Sequence, residues 1–379
     1  MIVLFWLSSG ILIQAYIGYP LSLLMLRLFM RRRRPPAEIA PAALPGVTLL
    51  ISAYNEEGVI RDKVENSLRL DYPRDRLRIM VISDGSTDRT EPIAMEYADR
   101  GIEVRAFAGR QGKVACLNDV IPTLTSEIVV MSDANSLYER DSLRQLVKHF
   151  SEPDTGCVCG RLRYVNPRRL SAGEGERLYW GYEGWIKRLE SALGSLLGAN
   201  GAIYAYRRPL FRPVDPLMFC DDVIPIRIAI QGFRTIYDPA ACCSEEAADE
   251  RVERRRRRRH ASFGLRSMWI LLREAVRAGR FLVAYQCVSH RILRWGGALA
   301  LGGILLSSLY LPAPWSGILL AGQCFFYFTA LAGYLLSRAG LRFPMAYFPY
   351  YFFVIHMAGV AGIWALMSRS DRPYWEPRQ

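Results

Sequence analysis

An acidic segment in the first half of the chain, Asp133–Asn135, has the residue types and spacing of a metal site. It directly follows the apolar run Glu127–Ser132. Side-chain oxygens at positions i and i+2 can present two ligands on one face, and hard divalent cations prefer oxygen ligands. A cation held there would neutralise the charge that builds on a departing diphosphate. A simple turn is the alternative interpretation, because Asp and Asn favour turns.

Two further polar positions would suit a nucleotide. Asp84 follows a second apolar run and could accept hydrogen bonds from a base or a ribose, whereas Ser86 and Thr87 behind it are candidate helix caps. Lys113 stands at the start of a predicted helix, where a basic residue suits a phosphate. A solvated side chain is an equally good interpretation of this lysine.

A pair of carboxylates in the second half of the chain, Asp221 and Asp222, precedes an apolar helix. Adjacent carboxylates can raise one another's pKa, which suits a general base that takes a proton from an acceptor hydroxyl. A helix cap is the alternative interpretation. The four histidines, at positions 149, 260, 290 and 356, are isolated in the sequence, and a structural role is favoured for each.

The elements that must position these side chains alternate between strands and helices. Predicted strands are Val47–Ser52, Leu77–Ser83, Ile102–Phe107 and Glu127–Ser132, and helical periodicity covers Glu56–Leu70, Thr87–Arg100 and Gly112–Thr123. This alternation predicts an α/β fold with a mostly parallel, Rossmann-like sheet. Ligands bind beyond the carboxyl ends of such strands, so Tyr54, Asn55 and Glu56 should join Asp84 and Asp133. The sequence contains neither a dinucleotide-binding fingerprint nor a P-loop.

Both ends of the chain are apolar. Ile2–Met30 is long enough to cross a bilayer, which takes roughly 20 residues, and the four arginines after it place the central domain in the cytosol by the positive-inside rule. Three more candidate spans are Trp295–Leu311, Trp315–Ser337 and Pro344–Met367. Four spans would leave the C-terminus outside, whereas its basic tail favours the inside, so the number of spans stays open.

Between the central domain and the C-terminal spans the chain is strongly basic. Arg254–Arg259 is an unbroken arginine run in a chain of formal net charge +13. Arg255, Arg258 and Arg259 could clamp a diphosphate or contact anionic lipids, and nucleic-acid binding is the less favoured alternative. Gly264–Ile292 alternates apolar residues with arginines at helical spacing, which favours an interfacial amphipathic helix over an ordinary core-facing one.

These features divide the chain into four predicted regions. They are a transmembrane helix with its basic flank (1–34), a cytosolic α/β domain (35–260), an interfacial helix (261–294) and C-terminal transmembrane helices with a tail (295–379). The eight cysteines show no CxxC spacing, so neither a zinc site nor a disulfide framework is predicted. Most are expected to be small buried residues in a reducing compartment.

Taken together, the motifs resemble the family-2 inverting glycosyltransferases of bacterial polysaccharide synthesis, which include cellulose, hyaluronan and poly-N-acetylglucosamine synthases. The resemblance covers about Val47 to Met268. It rests on Tyr54–Glu57 (YNEE), Asp84–Asp88 (DGSTD), Gly112–Lys113 with Asn118, Asp133–Asn135 at the place of a DxD motif, Gly198–Tyr204 and Asp221–Asp222. Each motif is weak alone, and their combination is specific.

The resemblance implies a GT-A fold, a Mg²⁺ or Mn²⁺ ion, and direct attack on the anomeric carbon with inversion. It implies that a nucleotide-diphosphate sugar, with a UDP-sugar favoured, is bound by Tyr54, Asn55, Glu56, Asp84, Lys113, Asp133, Arg255, Arg258 and Arg259. It also assigns Asn200, Gly201 and Ala202 to the acceptor side, Asp133 and Asn135 to the metal, and Asp222 to the base with Asp221 beside it. The expected acceptor is a saccharide or a lipid-linked molecule, in the synthesis of exopolysaccharide or cell-surface glycan.

The resemblance further implies a multi-pass protein of the bacterial cytoplasmic (inner) membrane, with a cytosolic catalytic domain, membrane lipids around it and partner membrane subunits. Two departures narrow this expectation. Asn135 replaces an acid, and an arginine-only segment ending at Arg259 stands where processive synthases carry QxxRW. Continuous polymerisation therefore does not follow. The alternatives are a polyprenyl-phosphate glycosyltransferase, whose acceptor needs no base, and a non-catalytic nucleotide-binding membrane scaffold.

Overall fold

The computed structural model describes residues 1–30, 36, 39–40, 43–165, 174–246, 250–339, 341 and 343–368. Its first four strands form a parallel half-sheet in the order β3-β2-β1-β4. They are β1 Val47–Ala53, β2 Leu77–Ser83, β3 Ile102–Ala106 and β4 Ile128–Asp133. The predicted strand ends lie within one residue of these bounds, and the predicted α/β fold is confirmed.

The second half of the sheet is mixed and is not evident from the sequence. Its strands are β5 Leu137–Tyr138, β6 Thr155–Val165, β7 Tyr204–Arg207 and β8 Arg234–Glu246, in the order β4-β7-β6-β8-β5. β7 pairs antiparallel with β4 and β6, whereas β6 and β8 are parallel to each other with two register shifts. The second half of β6 is largely exposed, so this strand lacks the continuous apolar run that marks β1 and β4.

Helices connect the strands and continue into the apolar ends of the chain. The α-helices are α1 Ile2–Ile13, α2 Tyr19–Leu28, α3 Ile60–Leu68, α4 Thr90–Met95, α5 Lys113–Val120, α6 Ser142–Val147, α7 Glu174–Leu193, α8 Cys220–Ile230, α9 Glu250–Arg277, α10 Phe281–Gln286, α11 Leu293–Trp295, α12 Gly297–Ser308, α13 Trp315–Arg338 and α14 Pro344–Ser368. A π-helical segment, Gln14–Gly18, joins α1 to α2, and another, Cys287–Ile292, joins α10 to α11. Helices α3 and α4 begin four and three residues later than predicted, and α5 ends early because the chain continues into a 3₁₀ turn at Ile121–Thr123.

Two apolar clusters cover opposite faces of the sheet, because alternate residues of a strand point to opposite sides. Leu49 and Ile51 of β1 belong to one cluster and Leu50 to the other. The second cluster also contains Met268 and Leu271 of α9. The parallel half-sheet is therefore buried on both faces, as its continuous apolar runs predict.

The segment predicted as one interfacial helix, 261–294, is divided between the end of α9, α10 and the second π-helical segment, and Gly279 with a φ of 67° lies at the first break. One face of α9 packs against the domain through Met268 and Leu271, so the core-facing alternative describes that face. The opposite face leaves Trp269 57% and Val276 50% exposed. Contact of this exposed face with a membrane stays a prediction.

Two helices among the described residues are long and apolar enough to cross a membrane, Ile2–Leu28 and Trp315–Arg338. At 1.5 Å per residue, the 27 residues of the first cover the roughly 30 Å hydrocarbon core of a bilayer. Gly297–Ser308 is a shorter apolar helix. These helices are consistent with membrane association, while the number of crossings stays a prediction.

Candidate active site

The polar side chains after β1, β2 and β4 line one cleft, as the sequence predicts for the carboxyl ends of parallel strands. The cleft is open to solvent, has a volume of about 430 Å³ and is lined by Tyr54, Glu56, Asp84, Lys113 and Asp133. All five are among the residues expected to bind a nucleotide sugar. The topology brings them together because β3, which precedes Lys113, is adjacent to β2 in the sheet, and β2, β1 and β4 follow in order.

Asp84 is buried and organises the loop before α5. Its carboxylate accepts the backbone N–H of Gln111 at 2.7 Å and of Gly112 at 2.9 Å. The loop also passes so close to Gly85, whose φ is 66°, that a Cβ there would lie 2.5 Å from the carbonyl carbon of Gly109. Asp84 Oδ1 also accepts from the Cys116 thiol at 3.3 Å. The contacts of Asp84 in this structure are thus within the protein, and its contact with a base or ribose stays a prediction.

Asn55 joins the loops after β1 and β2. Its backbone has a positive φ of 52°, and its side-chain oxygen accepts the backbone N–H of Thr87 at 2.8 Å. The next residue, Glu56, donates its backbone N–H to Thr90 Oγ1 at 2.7 Å. The prediction that Ser86 or Thr87 caps the helix is wrong, because α4 begins at Thr90. Ser86 Oγ instead accepts the backbone N–H of Asn55 at 3.3 Å, so both residues help to hold two loops together at the cleft.

Arg110 lies at the rim of the cleft and was not singled out in the sequence. Its guanidinium carbon is 4.0 Å from the centre of the Tyr54 ring, a cation–π contact between the loops after β1 and β3. Its position three residues before Lys113 was the only feature of the sequence that pointed to a place near the cleft. The contact fixes the aromatic ring at the mouth of the cleft.

Lys113 and Asp133 form the central ion pair of the cleft, with 2.7 Å between Nζ and Oδ1. Both side chains are largely buried. Burial lowers the pKa of Lys113, but the Asp133 and Asp221 carboxylates raise it well above its usual range. The ammonium is therefore charged at neutral pH, and carboxylates from the first and second halves of the chain act on the same cation.

The residues that could hold a metal supply few ligands. Asp133 offers a carboxylate and Asn135 a carboxamide, and the part of the chain that the structure describes has no group of three or more His, Cys, Asp or Glu side chains suited to a metal. Mg²⁺ is commonly bound through one or two carboxylates together with substrate phosphates and water. The donor set fits a cation that arrives with a diphosphate better than a metal enclosed by protein ligands.

A fully buried lysine, Lys63, holds the segment that follows Asp133. Its Nζ donates to the carbonyl oxygen of Ser136 and lies 4.2 Å from the centre of the Tyr138 ring. The Ser136 hydroxyl donates to the buried carboxylate of Glu245. Lys63 was missed in the sequence, although a lysine on the apolar face of α3 was the available sign.

The predicted general base, Asp222, and its neighbour Asp221 lie in the first turn of α8. The loop that contains the predicted acceptor residues packs against them. A Cβ on Gly201 would lie 2.3 Å from Asp221 Oδ2, and one on Gly198 would lie 2.4 Å from Asp222 Oδ1. The backbone N–H of Ala199 donates to the Asp221 carbonyl at 2.8 Å. The loop can approach the two carboxylates this closely because glycines stand at both contacts.

Asp222 has the electrostatic surroundings of a base. Burial raises the pKa of its carboxyl above the usual range, the Arg291 guanidinium lowers it, and Asp221 raises it again. Arg291 Nη2 donates to Asp222 Oδ1 at 3.3 Å. The net upward shift favours proton acceptance near neutral pH.

The remaining predicted residues differ in what the structure shows of them. Asn200 uses both ends of its amide within the protein, accepting from Lys187 Nζ at 2.7 Å and donating to the Gly160 carbonyl at 2.7 Å. Ala202 is buried. The side chains of Arg255, Arg258 and Arg259 lie outside the described part of the chain, so their roles stay predictions.

The sheet and its flanking helices have the GT-A fold of solved glycosyltransferases. The mannosyltransferase PcManGT from Pyrobaculum calidifontis, solved in complex with GDP-Man and Mn²⁺, has the same fold with a TM-score of 0.71. The likeness covers 98% of each chain at 23% sequence identity. The GT-A fold expected from the sequence is confirmed.

Residues 48–214 match the family Glycosyl transferase family 2, so this part of the chain is a family-2 glycosyltransferase domain, as predicted. The beta-monoglucosyldiacylglycerol synthase of Nostoc sp. is 31% identical over 180 residues, which are 46% of this chain and 38% of that protein. The poly-beta-1,6-N-acetyl-D-glucosamine synthase of Staphylococcus aureus is 26% identical over 204 residues, 52% of this chain and 49% of that protein. Each match thus spans less than half the length of the relative.

The buried amino group of Lys63 should give the protein a specific dependence of stability on pH. Burial lowers the pKa of Lys63 to about 7, below the roughly 10.4 of an unfolded lysine. Between these values the unfolded state binds more protons, so stability should rise with pH by up to about 1.4 kcal/mol per unit. Thermal unfolding of the full chain in detergent, from pH 7 to 9.5, should show this rise in wild type and not in Lys63→Met.

The control for this measurement is Lys148→Met, which removes a lysine paired with Asp238 at 3.0 Å. It should keep the wild-type slope. Equal slopes in wild type and Lys63→Met would contradict the assigned titration of Lys63.

The close approach of Gly198 to Asp222 makes a second prediction. Gly198→Ala places a methyl group against the carboxylate on a backbone with a φ of 97°, which is strained for alanine. We expect at least a tenfold fall in nucleotide release from a nucleotide sugar. The matched control is Gly184→Ala on α7, where a Cβ meets nothing within 4 Å, and it should retain activity. Full activity in Gly198→Ala would show that the loop does not depend on this contact.

Proposed function

We propose that this protein is an inverting glycosyltransferase. It moves a sugar from a nucleotide-diphosphate sugar to a saccharide or lipid-linked acceptor at the cytosolic face of the membrane. The observation that carries the proposal is the position of Lys113, which pairs with Asp133 and whose pKa is also raised by Asp221. A donor-side carboxylate and an acceptor-side carboxylate thus act on one cation, and this cation, Lys113, lies within the part of the chain that matches family 2.

The donor half of the site would use the cleft after β1, β2 and β4. Tyr54, fixed by Arg110, offers an aromatic face for the base, and Lys113 offers a cation for the diphosphate. Asp133 and Asn135 would hold the metal together with phosphate oxygens. A Mg²⁺ or Mn²⁺ ion, when bound, neutralises charge on the departing diphosphate. Asp84 acts indirectly here, since it fixes the loop that carries Lys113.

The acceptor half would use Asp222. The acceptor hydroxyl oxygen attacks the anomeric carbon while its proton passes to the Asp222 carboxylate. The bond between the anomeric carbon and the diphosphate oxygen breaks, and the nucleotide diphosphate leaves with the electron pair. A single displacement of this kind inverts the anomeric configuration. The raised pKa of Asp222 supports its role as the proton acceptor.

The membrane setting supports a lipid or a membrane-bound glycan as the acceptor. Two apolar helices flank the domain in the sequence, and relatives are named as synthases of a glucosyldiacylglycerol and of a poly-N-acetylglucosamine. We propose a multi-pass protein of the cytoplasmic membrane with a UDP-sugar as the favoured donor. Partner membrane subunits are part of the same proposal.

A polyprenyl-phosphate acceptor is the second candidate, and one contact favours it. Arg291 lies at the acceptor side of Asp222, where a guanidinium could bind a phosphate. A phosphate oxygen is already ionised, so the attack would need no base. The two candidates therefore differ in what they require of Asp222.

The donor half is tested by nucleotide release. Membranes that contain the full chain are incubated with UDP-, GDP- or dTDP-sugars, with and without Mn²⁺. We expect Mn²⁺-dependent release from one donor class and at least a 100-fold loss in Asp133→Asn, because the diphosphate charge is no longer neutralised. Asp119→Asn, an exposed acid on α5, is the matched control and should behave as wild type. Absence of release above the Asp133→Asn level would contradict the proposal.

The acceptor half is tested by Asp222→Asn. Loss of a general base typically costs 10² to 10⁴ in rate, so transfer to a hydroxyl acceptor should fall by about that factor. Binding of the donor should not change. Transfer rates for diacylglycerol, an N-acetylglucosamine oligomer and undecaprenyl phosphate separate the candidates. Wild-type turnover in Asp222→Asn would rule out the assigned base and favour the phosphate acceptor.

A further inference from the structure

The second half of the N-terminal apolar helix packs against the catalytic domain through a buried polar group. Tyr19 and Leu23 are fully buried against α7, in a cluster with Ile186 and Leu189. A helix that serves only to cross a membrane needs apolar side chains and no fixed hydroxyl. The buried hydroxyl of Tyr19 therefore needs a partner inside the protein.

That partner is Glu190, a fully buried carboxylate of α7. The Tyr19 hydroxyl donates to Glu190 Oε1, which also lies 2.6 Å from His290 Nδ1. The second oxygen, Oε2, accepts the backbone N–H of Leu197 at 3.1 Å. One carboxylate thus joins the N-terminal helix, the second π-helical segment and the loop at the acceptor side.

Leu197 is held from its other side as well. Its carbonyl oxygen accepts from Arg291 Nη2 at 3.0 Å, and the same nitrogen lies 3.3 Å from Asp222 Oδ1. The next residue is Gly198, which contacts the Asp222 carboxylate with no room for a Cβ. Both backbone polar groups of Leu197 are therefore fixed by charged side chains, directly before the contact with the proposed base.

The charged groups around Glu190 keep it an acceptor. Burial raises the pKa of Glu190, but His290 and the hydrogen bonds from Tyr19 and Leu197 lower it below its usual range. On the far side of the imidazole, His290 Nε2 lies 3.3 Å from Glu183 Oε2, and Glu183 pairs with Arg294. An ionised Glu190 can accept from Tyr19 and Leu197 at the same time, because a carboxylate has two oxygens.

We propose that Tyr19 is a positioning residue for glycosyl transfer: through Glu190 it sets the Leu197–Gly198 peptide against Asp222. The N-terminal helix then orients the acceptor side of the site in addition to any role in the membrane. This inference rests on the proposed function, because it assigns a task to a residue that acts through the proposed base.

The first test measures the loop itself and needs no substrate. Amide hydrogen exchange of the full chain in detergent should be at least tenfold faster over residues 194–202 in Tyr19→Phe than in wild type, because Glu190 loses one of the partners that fix it. Tyr16→Phe is the matched control. It makes the same change on the same helix, where the hydroxyl contacts His356 Nε2 at 3.0 Å, and it should leave this segment as in wild type.

The second test measures catalysis with the donor that wild type uses. Tyr19→Phe should lower the kcat of transfer five- to tenfold and leave the KM for the nucleotide sugar unchanged. Its Tm should equal that of Tyr16→Phe. In the double variant with Asp222→Asn, Tyr19→Phe should cause no further fall in kcat, because Tyr19 acts through the Asp222 carboxylate. A lower kcat at unchanged KM and unchanged Tm does not arise from a general loss of stability.

The outcomes separate this inference from the proposed function. If wild type shows neither nucleotide release nor sugar transfer, the proposed function itself is wrong. An active wild type with equal exchange over 194–202 in Tyr19→Phe and Tyr16→Phe overturns the role of Tyr19 alone. Faster exchange with unchanged kcat also overturns it, because the loop would then move without consequence for transfer.

Discussion

The ion pair between Lys113 and Asp133 is the constraint on which the rest of the site depends. A carboxylate almost out of water at the end of a central strand is costly unless a cation neutralises it. Lys113 can do so because Asp84 fixes the loop at Gly112, where α5 begins. The donor cleft is therefore assembled before any ligand binds. A metal that binds Asp133 and a diphosphate that binds Lys113 would replace the contact between these two side chains.

The first half of the fold could be read from the sequence because its strands are apolar on both faces. Strands β1, β2 and β4 are continuous buried runs, and the polar residues after them had to meet at one edge. β6 and β8 could not be read in this way, since each combines a buried part with exposed positions and they pair with register shifts. The family resemblance predicts that Asp222 belongs to the site, which the hydrophobic pattern alone does not predict.

Roles within the site were harder to predict than its position. Asp84 and Asn55 were expected to contact a nucleotide, and both make hydrogen bonds to backbone groups of neighbouring loops. Lys63 and Arg110 were missed, because a lysine on an apolar helix face or an arginine near Lys113 does not identify the group that it contacts. Tyr19 and Glu190 lie 171 positions apart, so their contact depends on tertiary structure and left no pattern in the sequence.

The central claim is that the cleft binds a nucleotide diphosphate together with a divalent cation at Asp133. Calorimetric titration of the full chain with UDP, GDP and dTDP, with and without Mn²⁺, tests this claim without any acceptor. We predict that Mn²⁺ tightens the binding of one nucleotide at least tenfold in wild type and has no effect on its binding to Asp133→Asn. Equal affinity with and without Mn²⁺ in wild type, or an equal gain in Asp133→Asn, would contradict it.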